Sequence, residues 1–226
     1  MTSTITTHCS RKSSISCFRF AISQTSRGKA CIARRSRARA SIRARGNSPC
    51  RSGSPSGGTP QSAARAGALG LPLAIAIIGG EPARFAPLAE LYREAGRRAG
   101  VAPDKLLVGI NGHGFLADTA EAAVDAFFGP YAEVMSRIGR ERGWPPLSRA
   151  QFDQGRRQRG HLMVGTPDEA IAKILDQHEV FRHDRTFMQM AVGDQPQAAI
   201  LRSIELLGTV VAPRVRAELA KRKVSA

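Results

Sequence analysis

Between Leu73 and Ile78 the chain reads Leu-Ala-Ile-Ala-Ile-Ile, apolar at every position, with Pro72 ahead of it and Gly79-Gly80 behind it. Strict alternation would describe a strand with one wet face. An unbroken apolar run of this length describes a strand buried on both faces, as in a parallel sheet covered by helices. Parallel neighbours need helical crossovers, and the flanking sequence supplies them. Residues 83–99 place Phe85, Leu88, Leu91, Tyr92 and Ala95 on one stripe with Gly100 just beyond, predicting an amphipathic helix. Residues 106–110 predict a second strand, running into Asn111-Gly112-His113-Gly114-Phe115. Asp118 and Glu121 predict a capping box for a long helix with Val124, Phe127, Phe128, Tyr131, Val134, Met135 and Ile138 inward, kinked at Gly129-Pro130. Residues 144–160 read as an irregular basic excursion. A helix over 167–181, a strand over 186–192 and helices over 197–207 and 210–222 complete the pattern, which is that of an α/β fold.

The stretch before the apolar run carries the chemistry. Gly57-Gly58 is followed by Thr59, a good N-cap, and by Pro60, which suits the first helical position. The free amides of that first turn, with the positive end of the helix dipole behind them, suit an anion. No acidic residue precedes Glu81, so nothing in the chain up to that point repels one. Residues 165–169, Gly-Thr-Pro-Asp-Glu, repeat the glycine, cap and proline, but continue with Asp168 and Glu169. There the helix satisfies its dipole with its own carboxylates, and a phosphate would be repelled. At the first site the equivalent positions are Gln61 and Ser62, neutral hydrogen-bond donors. The first turn is therefore the phosphate candidate and the second is structural, although glycine turns of this kind also serve as plain strand-to-helix connections.

The net charge of +16 points at first to nucleic acid or a membrane surface. It is concentrated, however: residues 1–56 hold twelve of the 34 Lys and Arg and none of the 18 acidic residues, leaving 22 against 18 in the remainder. That remainder is an ordinary domain, with no helix-turn-helix or aromatic RNA motif to read bases. All four cysteines, Cys9, Cys17, Cys31 and Cys50, lie in the first segment at spacings that match no zinc pattern, so no metal site is expected. No apolar run approaches the ~18 residues that span a bilayer, and a cytoplasmic location is expected. Residues 1–56, rich in Ser, Arg and Ala without periodicity, are expected to be disordered. Three readings of them stand: an organellar transit peptide, a tail that engages nucleic-acid phosphates through runs such as Arg34–Arg39, or the product of a shifted frame or upstream start in GC-rich DNA.

Taken as an ordered set, Gly57–Ser62, Gly70–Gly80, Asn111–Phe115, Val164–Ala170, Phe187–Met190 and Ile204–Pro213 resemble the luciferase-like flavin-dependent monooxygenases. The resemblance runs from residue 57 to about 217 and implies a (β/α)8 TIM-barrel type fold. Residue 57 resembles the end of the fifth strand, so the expectation is a partial barrel, residues 57–226, preceded by the separate segment 1–56. A barrel met at its fifth strand behind an acid-free segment favours the frame reading over the other two. The family uses reduced FMN, or in some members a deazaflavin, with dioxygen to oxygenate a small organic substrate at the C-terminal end of the strands.

By this resemblance Gly57, Gly58, Thr59, Gln61 and Ser62 hold the phosphate, and Gly79 and Gly80 leave room for the ring system. The family's catalytic histidine lies on an early strand and has no counterpart here; His113, between two glycines at a strand end, is the candidate to touch flavin or substrate, against packing within its loop. His178 and His183 read as structural. Glu90-Arg93-Glu94-Arg97 reads as a solvated charge ladder, and Arg156, Arg157 and Arg159 as a mobile loop rather than a substrate-anion site. A flavin reductase or a second copy of the chain is the implied protein partner, and the chain alone is expected to be weakly active or inactive. The competing reading is a nucleic-acid-binding protein acting through its basic N-terminal segment.

Overall fold

The computed structural model describes Ser54–Ser56 and residues 59–224 of the chain. The readings of the N-terminal tail, the four cysteines, Gly57 and Gly58 fall outside the described residues. Strand β1 (Ser54–Ser56) leads to helix α1 (Pro60–Ala68), then β2 (Leu73–Ile77), α2 (Ala86–Arg98) and β3 (Val108–Leu116). Helices α3 (Ala120–Arg142) and α4 (Arg149–Arg156) follow, then β4 (Met163–Gly165), α5 (Pro167–Phe181), β5 (Arg185–Gln189), α6 (Gln197–Leu206) and α7 (Ala212–Val224). A π-helical turn, Leu207–Val211, joins the last two helices.

Every strand pairing is parallel. β3 is central: Val108–Gly112 pair with Leu73–Ile77 of β2, and Gly109–His113 pair with Arg185–Gln189 of β5. These registers overlap, so β2 and β5 lie on opposite edges of β3. β1 flanks β2, and β4 pairs with the far end of β3, Gly114–Leu116.

Helices cover one face of the sheet. Leu73, Ile75, Ile77, Val108 and Ile110 are each no more than 1% exposed, packed with Ala63, Ala66, Ala89, Tyr92 and Phe181. Helices α1 and α2 approach closely at Gly67, where a Cβ would stand 2.1 Å from the Tyr92 carbonyl oxygen. The Tyr92 hydroxyl donates to the carbonyls of Leu71 (3.0 Å) and Leu107 (3.3 Å), tying the entries of two strands to α2. The expectation that the Leu73–Ile78 run is buried on both faces holds for one face only: among the described residues Ala76 and Ile78 are exposed on the other.

Local chemistry corrects several boundaries. The Asn-Gly-His-Gly-Phe stretch is not a loop after a strand ending at 110 but the second half of β3. Its glycines permit close packing rather than a turn, since a Cβ on Gly114 would stand 2.7 Å from the Met188 side chain. The N-cap of α3 is Thr119, whose Oγ1 accepts from the Ala122 amide (3.2 Å), while Asp118 accepts from Arg202 of α6 (2.7 Å). That helix runs through Gly129-Pro130 without interruption. The excursion at 144–160 contains α4, started by a capping box between Ser148 and Gln151. Phe152 anchors it, wholly buried among Phe127, Phe128 and Tyr131. Arg156 does not sit on a mobile loop; its Nε donates to the Val164 carbonyl (3.1 Å) and it pairs with Asp153. Arg93 leaves the charge ladder to donate to the carbonyl of Phe181 (2.6 Å) at the end of α5, and Glu94 pairs with Arg97 and Arg98 instead. No described helix is long and apolar enough to cross a membrane.

Candidate functional site

The start of α1 has the predicted cap. Thr59 is extended (φ −93°, ψ 137°), its Oγ1 accepts from the Ser62 amide (3.3 Å) and its hydroxyl donates to the Ser62 Oγ (2.8 Å). Pro60 opens the helix, no acidic residue stands in the first turn, and Thr59 and Gln61 are exposed. Among the described residues no carboxylate of the first turn neutralises the positive end of this helix. At α5 the contrast is complete: Thr166 Oγ1 accepts from the Glu169 amide (3.3 Å) and the Glu169 carboxylate accepts from the Thr166 amide (2.8 Å). That carboxylate occupies the place an anion would take. The residues at α1 fit a phosphate, and those at α5 do not.

Three candidate positions follow the same ends of adjacent strands. The α1 cap comes after β1, and Gly79-Gly80 come directly after β2. His113 lies in β3 one residue beyond the pair Ile77–Gly112. A Cβ on Gly79 or Gly80 would meet nothing within 4 Å, and Gly80 has φ +77°, so the turn itself requires glycine there.

His113 is neither in a loop nor exposed. It is 7% exposed, paired in register with Gln189. Its Nδ1 stands 3.2 Å from the Tyr131 hydroxyl and the two rings meet edge to face at 5.5 Å. Burial lowers its pKa, and a hydrogen bond with the Gln189 side chain opposes the shift. Burial also pushes the Tyr131 phenol up to about 12. At neutral pH this is therefore an uncharged imidazole–phenol pair. Gln189 is exposed and forms part of a groove of about 460 Å³ between α3 and the segment after β5, lined also by Glu133, Val134, Arg137 and Asp194. Thus the chain Tyr131–His113–Gln189 leads from the interior to a surface opening.

Two further groups adjoin this region. His161 is pulled down to about 4 by burial, then by Lys173 and by His113. Lys173 is 4% exposed and donates to the carbonyls of Leu162, Arg156 (2.9 Å) and Gly155 (3.5 Å). Burial, then the Arg156 charge, lower its ammonium to about 8. The sequence reading missed Gln189, His161 and Lys173 as part of this neighbourhood and placed Tyr131 only on a core stripe. Lys173 carried a signal, a charge amid the apolar positions Ile171, Ile174 and Leu175; His161 carried none. His178 and His183 are structural: His178 Nδ1 bonds the His183 carbonyl (3.0 Å) and His183 Nε2 the Thr186 hydroxyl (2.9 Å).

The sequence model of the luciferase-like monooxygenases matches residues 39–184, more than half of the chain. The chain belongs to that family. Comparison with curated proteins gives no match. Among solved structures, the monooxygenase RslO1 from Streptomyces bottropensis is 23% identical with a TM-score of 0.56, the alignment covering 71% of this chain and 46% of that one. The FMN-bound oxygenating constituent of 3,6-diketocamphane monooxygenase from Pseudomonas putida, a type II Baeyer-Villiger enzyme, is 23% identical with a TM-score of 0.54, over 70% and 46%. The coenzyme F420-dependent tetrahydromethanopterin reductase from Methanopyrus kandleri is 15% identical with a TM-score of 0.50, over 71% and 50%. At these identities the likeness is one of fold, and the chain spans about half the length of each structure. Within the luciferase-like fold β1, β2, β3 and β5 supply a run of four parallel barrel-type strands, with β4 as a short addition beyond His113.

Proposed function

We propose that this chain carries the phosphate-binding side of a flavin-dependent oxidoreductase that oxygenates a small organic substrate with dioxygen. Its catalytic-type domain begins no later than β1, since Ser54–Ser56 pair with Leu73–Ile75, and this moves the boundary expected at residue 57 forward. The observation that carries the reading is the capped, acid-free start of α1, open to solvent beyond β1, beside a second helix with the same cap but its own carboxylates. FMN is the cofactor that best suits it, because a terminal phosphate needs only amides and hydroxyls. A deazaflavin cofactor uses the same features.

Gly57 and Gly58 allow close approach of the backbone, and Thr59, Gln61 and Ser62 donate to the phosphate. Gly79 and Gly80 leave the end of β2 clear for a planar ring. When bound in reduced form, the flavin supplies the reaction with dioxygen; the protein supplies binding, orientation and exclusion of water. His113 stays neutral and hydrogen-bonded, so it presents a polar edge to that space without a charge. A small substrate reaches it along the groove at Gln189. Among the described residues the face of the sheet that a barrel would enclose is open, so binding by these residues alone is expected to be weak and turnover low.

The test transplants the α5 start onto α1. Gln61→Asp with Ser62→Glu completes a capping box, so the helix is expected to keep or gain stability. FMN titrated by fluorescence quenching should bind the wild type and lose at least tenfold in affinity in the variant, an effect of about 1.4 kcal/mol or more. Equal affinity in both proteins would remove the phosphate from α1.

A further inference from the structure

Resting on the oxidoreductase reading above, we propose that the Tyr131–His113–Gln189 chain has a fixed direction, which makes the Gln189 amide a donor to the acceptor oxygen of an uncharged, largely apolar substrate. The direction begins at Tyr131. Its hydroxyl is buried, and among the described residues its one hydrogen-bond partner is His113 Nδ1, at 3.2 Å. A phenol carries a single proton and has to place it when buried. Were Nδ1 to supply the proton of that bond, the phenol proton would be left buried without an acceptor. The hydroxyl therefore donates, Nδ1 accepts, and the imidazole proton stands on Nε2. The phenol holds this role at neutral pH, since burial keeps its own titration up at about 12.

Gln189 receives the other end. It stands opposite His113 in the β3–β5 ladder, and its side chain hydrogen-bonds the ring. With Nδ1 taken by Tyr131, Nε2–H donates to the Gln189 Oε1. An acceptor at that place favours the charged ring, which agrees with the upward pull of Gln189 on His113. A side-chain amide held by its oxygen turns its NH2 group away from that bond. Gln189 is exposed in the groove of about 460 Å³, so this NH2 group meets whatever enters. An uncharged donor selects an acceptor oxygen, such as a carbonyl, over an ammonium group. The groove walls complete the choice. Val134 and Val192 suit an apolar body, and Glu133 and Asp194 against the one Arg137 disfavour an anion. Tyr131 is then a positioning residue, which acts on the substrate only through the tautomer of His113.

NMR on the flavin-free full chain tests the direction and the ligand separately. Nitrogen-15 shifts of the His113 imidazole should show Nε2 protonated and Nδ1 bare. Tyr131→Phe should mix the two tautomers, and weaken ligand binding as the Gln189 amide loses its fixed orientation. The probes are three molecules of one shape: cyclohexanone, cyclohexanecarboxylate and cyclohexylammonium. Cyclohexanone should shift the Gln189 side-chain amide protons saturably and bind at least tenfold more tightly than either ion. Gln189→Glu keeps an acceptor for His113 and removes the donor, so cyclohexanone should bind it at least tenfold more weakly. A proton on Nδ1 of the wild type overturns the proposal, as does a tautomer unmoved by Tyr131→Phe. So does cyclohexanone that leaves Gln189 unshifted, is matched by either ion, or binds Gln189→Glu as well as the wild type. Should Tyr131→Phe fail to fold, the wild-type tautomer and Gln189→Glu decide. None of these measurements uses FMN, so a chain that passes them and fails the FMN titration keeps the directed donor and loses only the cofactor.

Discussion

Acid should destabilise this protein well before its carboxylates titrate, because it keeps two histidines uncharged by burial. His161 and His183 have ordinary values near 6.5 and are each held at about 4 in the fold, with burial as the largest cause in both. At His183 the neighbouring charge of His178 adds to burial, while a hydrogen bond donated to the Gln177 backbone and the Asp184 carboxylate oppose it. Between the two values the unfolded chain binds protons that the folded chain refuses, so stability falls as the pH drops through 6.5 and goes on falling to about 4. At pH 5 each site costs about RT ln(32/1.1), or about 2 kcal/mol, relative to pH 7.5. Together they remove about 4 kcal/mol, a large part of a typical total of 5–15 kcal/mol. Urea unfolding followed by circular dichroism at pH 7.5, 6 and 5 reads this as a falling midpoint with an unchanged slope. His183→Asn and His161→Gln should each flatten the pH dependence by about half, and the double variant should remove most of it. A double variant as acid-sensitive as the wild type would refute the reasoning, as would a wild-type midpoint that does not move above pH 5.

Gly67→Ala should cost about 1–3 kcal/mol, since the new methyl would meet the Tyr92 carbonyl at 2.1 Å and push α1 off α2; the thermal midpoint reads it. Gly208→Ala is the control: nothing lies within 4 Å of its Cβ position, so the midpoint should hold or rise with a gain of up to about 1 kcal/mol. Lys173→Met should cost about 2–4 kcal/mol by leaving the carbonyls of Gly155, Arg156 and Leu162 without their buried donor. Hydrogen exchange should quicken first over α4, and uniform quickening across the sheet would place the role of Lys173 elsewhere.

The legible parts of this chain are those in which local chemistry and burial agree. Thr59-Pro60 and Thr166-Pro167 announced their helices because a cap acts within one turn and needs no tertiary partner. The inward stripe of α5 was readable for a similar reason, since its apolar residues recur at the helical period. His113 was misplaced because glycines on both sides signal a turn locally, whereas here they let Met188 and β4 press against the strand. Nothing within a few residues of His113 encodes that contact. Thr119 displaced Asp118 as a cap because Arg202, 84 positions away, claims the carboxylate. Lys173 became a clamp on α4 through carbonyls that only the folded loop assembles.

The same reasoning explains why the Leu73–Ile78 run was read too strongly. Unbroken apolarity reports what a strand is built to meet on both faces, not what the described residues place there. Leu73, Ile75 and Ile77 find their helices within the chain, at sequence separations a crossover can span. Ala76, Ile78 and Phe187 are equally apolar and find no cover among the described residues. A parallel sheet is stable with both faces covered, so this pattern marks the face as one built for contact. The groove at Gln189 and the neutral His113–Tyr131 pair border that face, so what covers it also sets the dielectric in which any cofactor at the α1 cap would work.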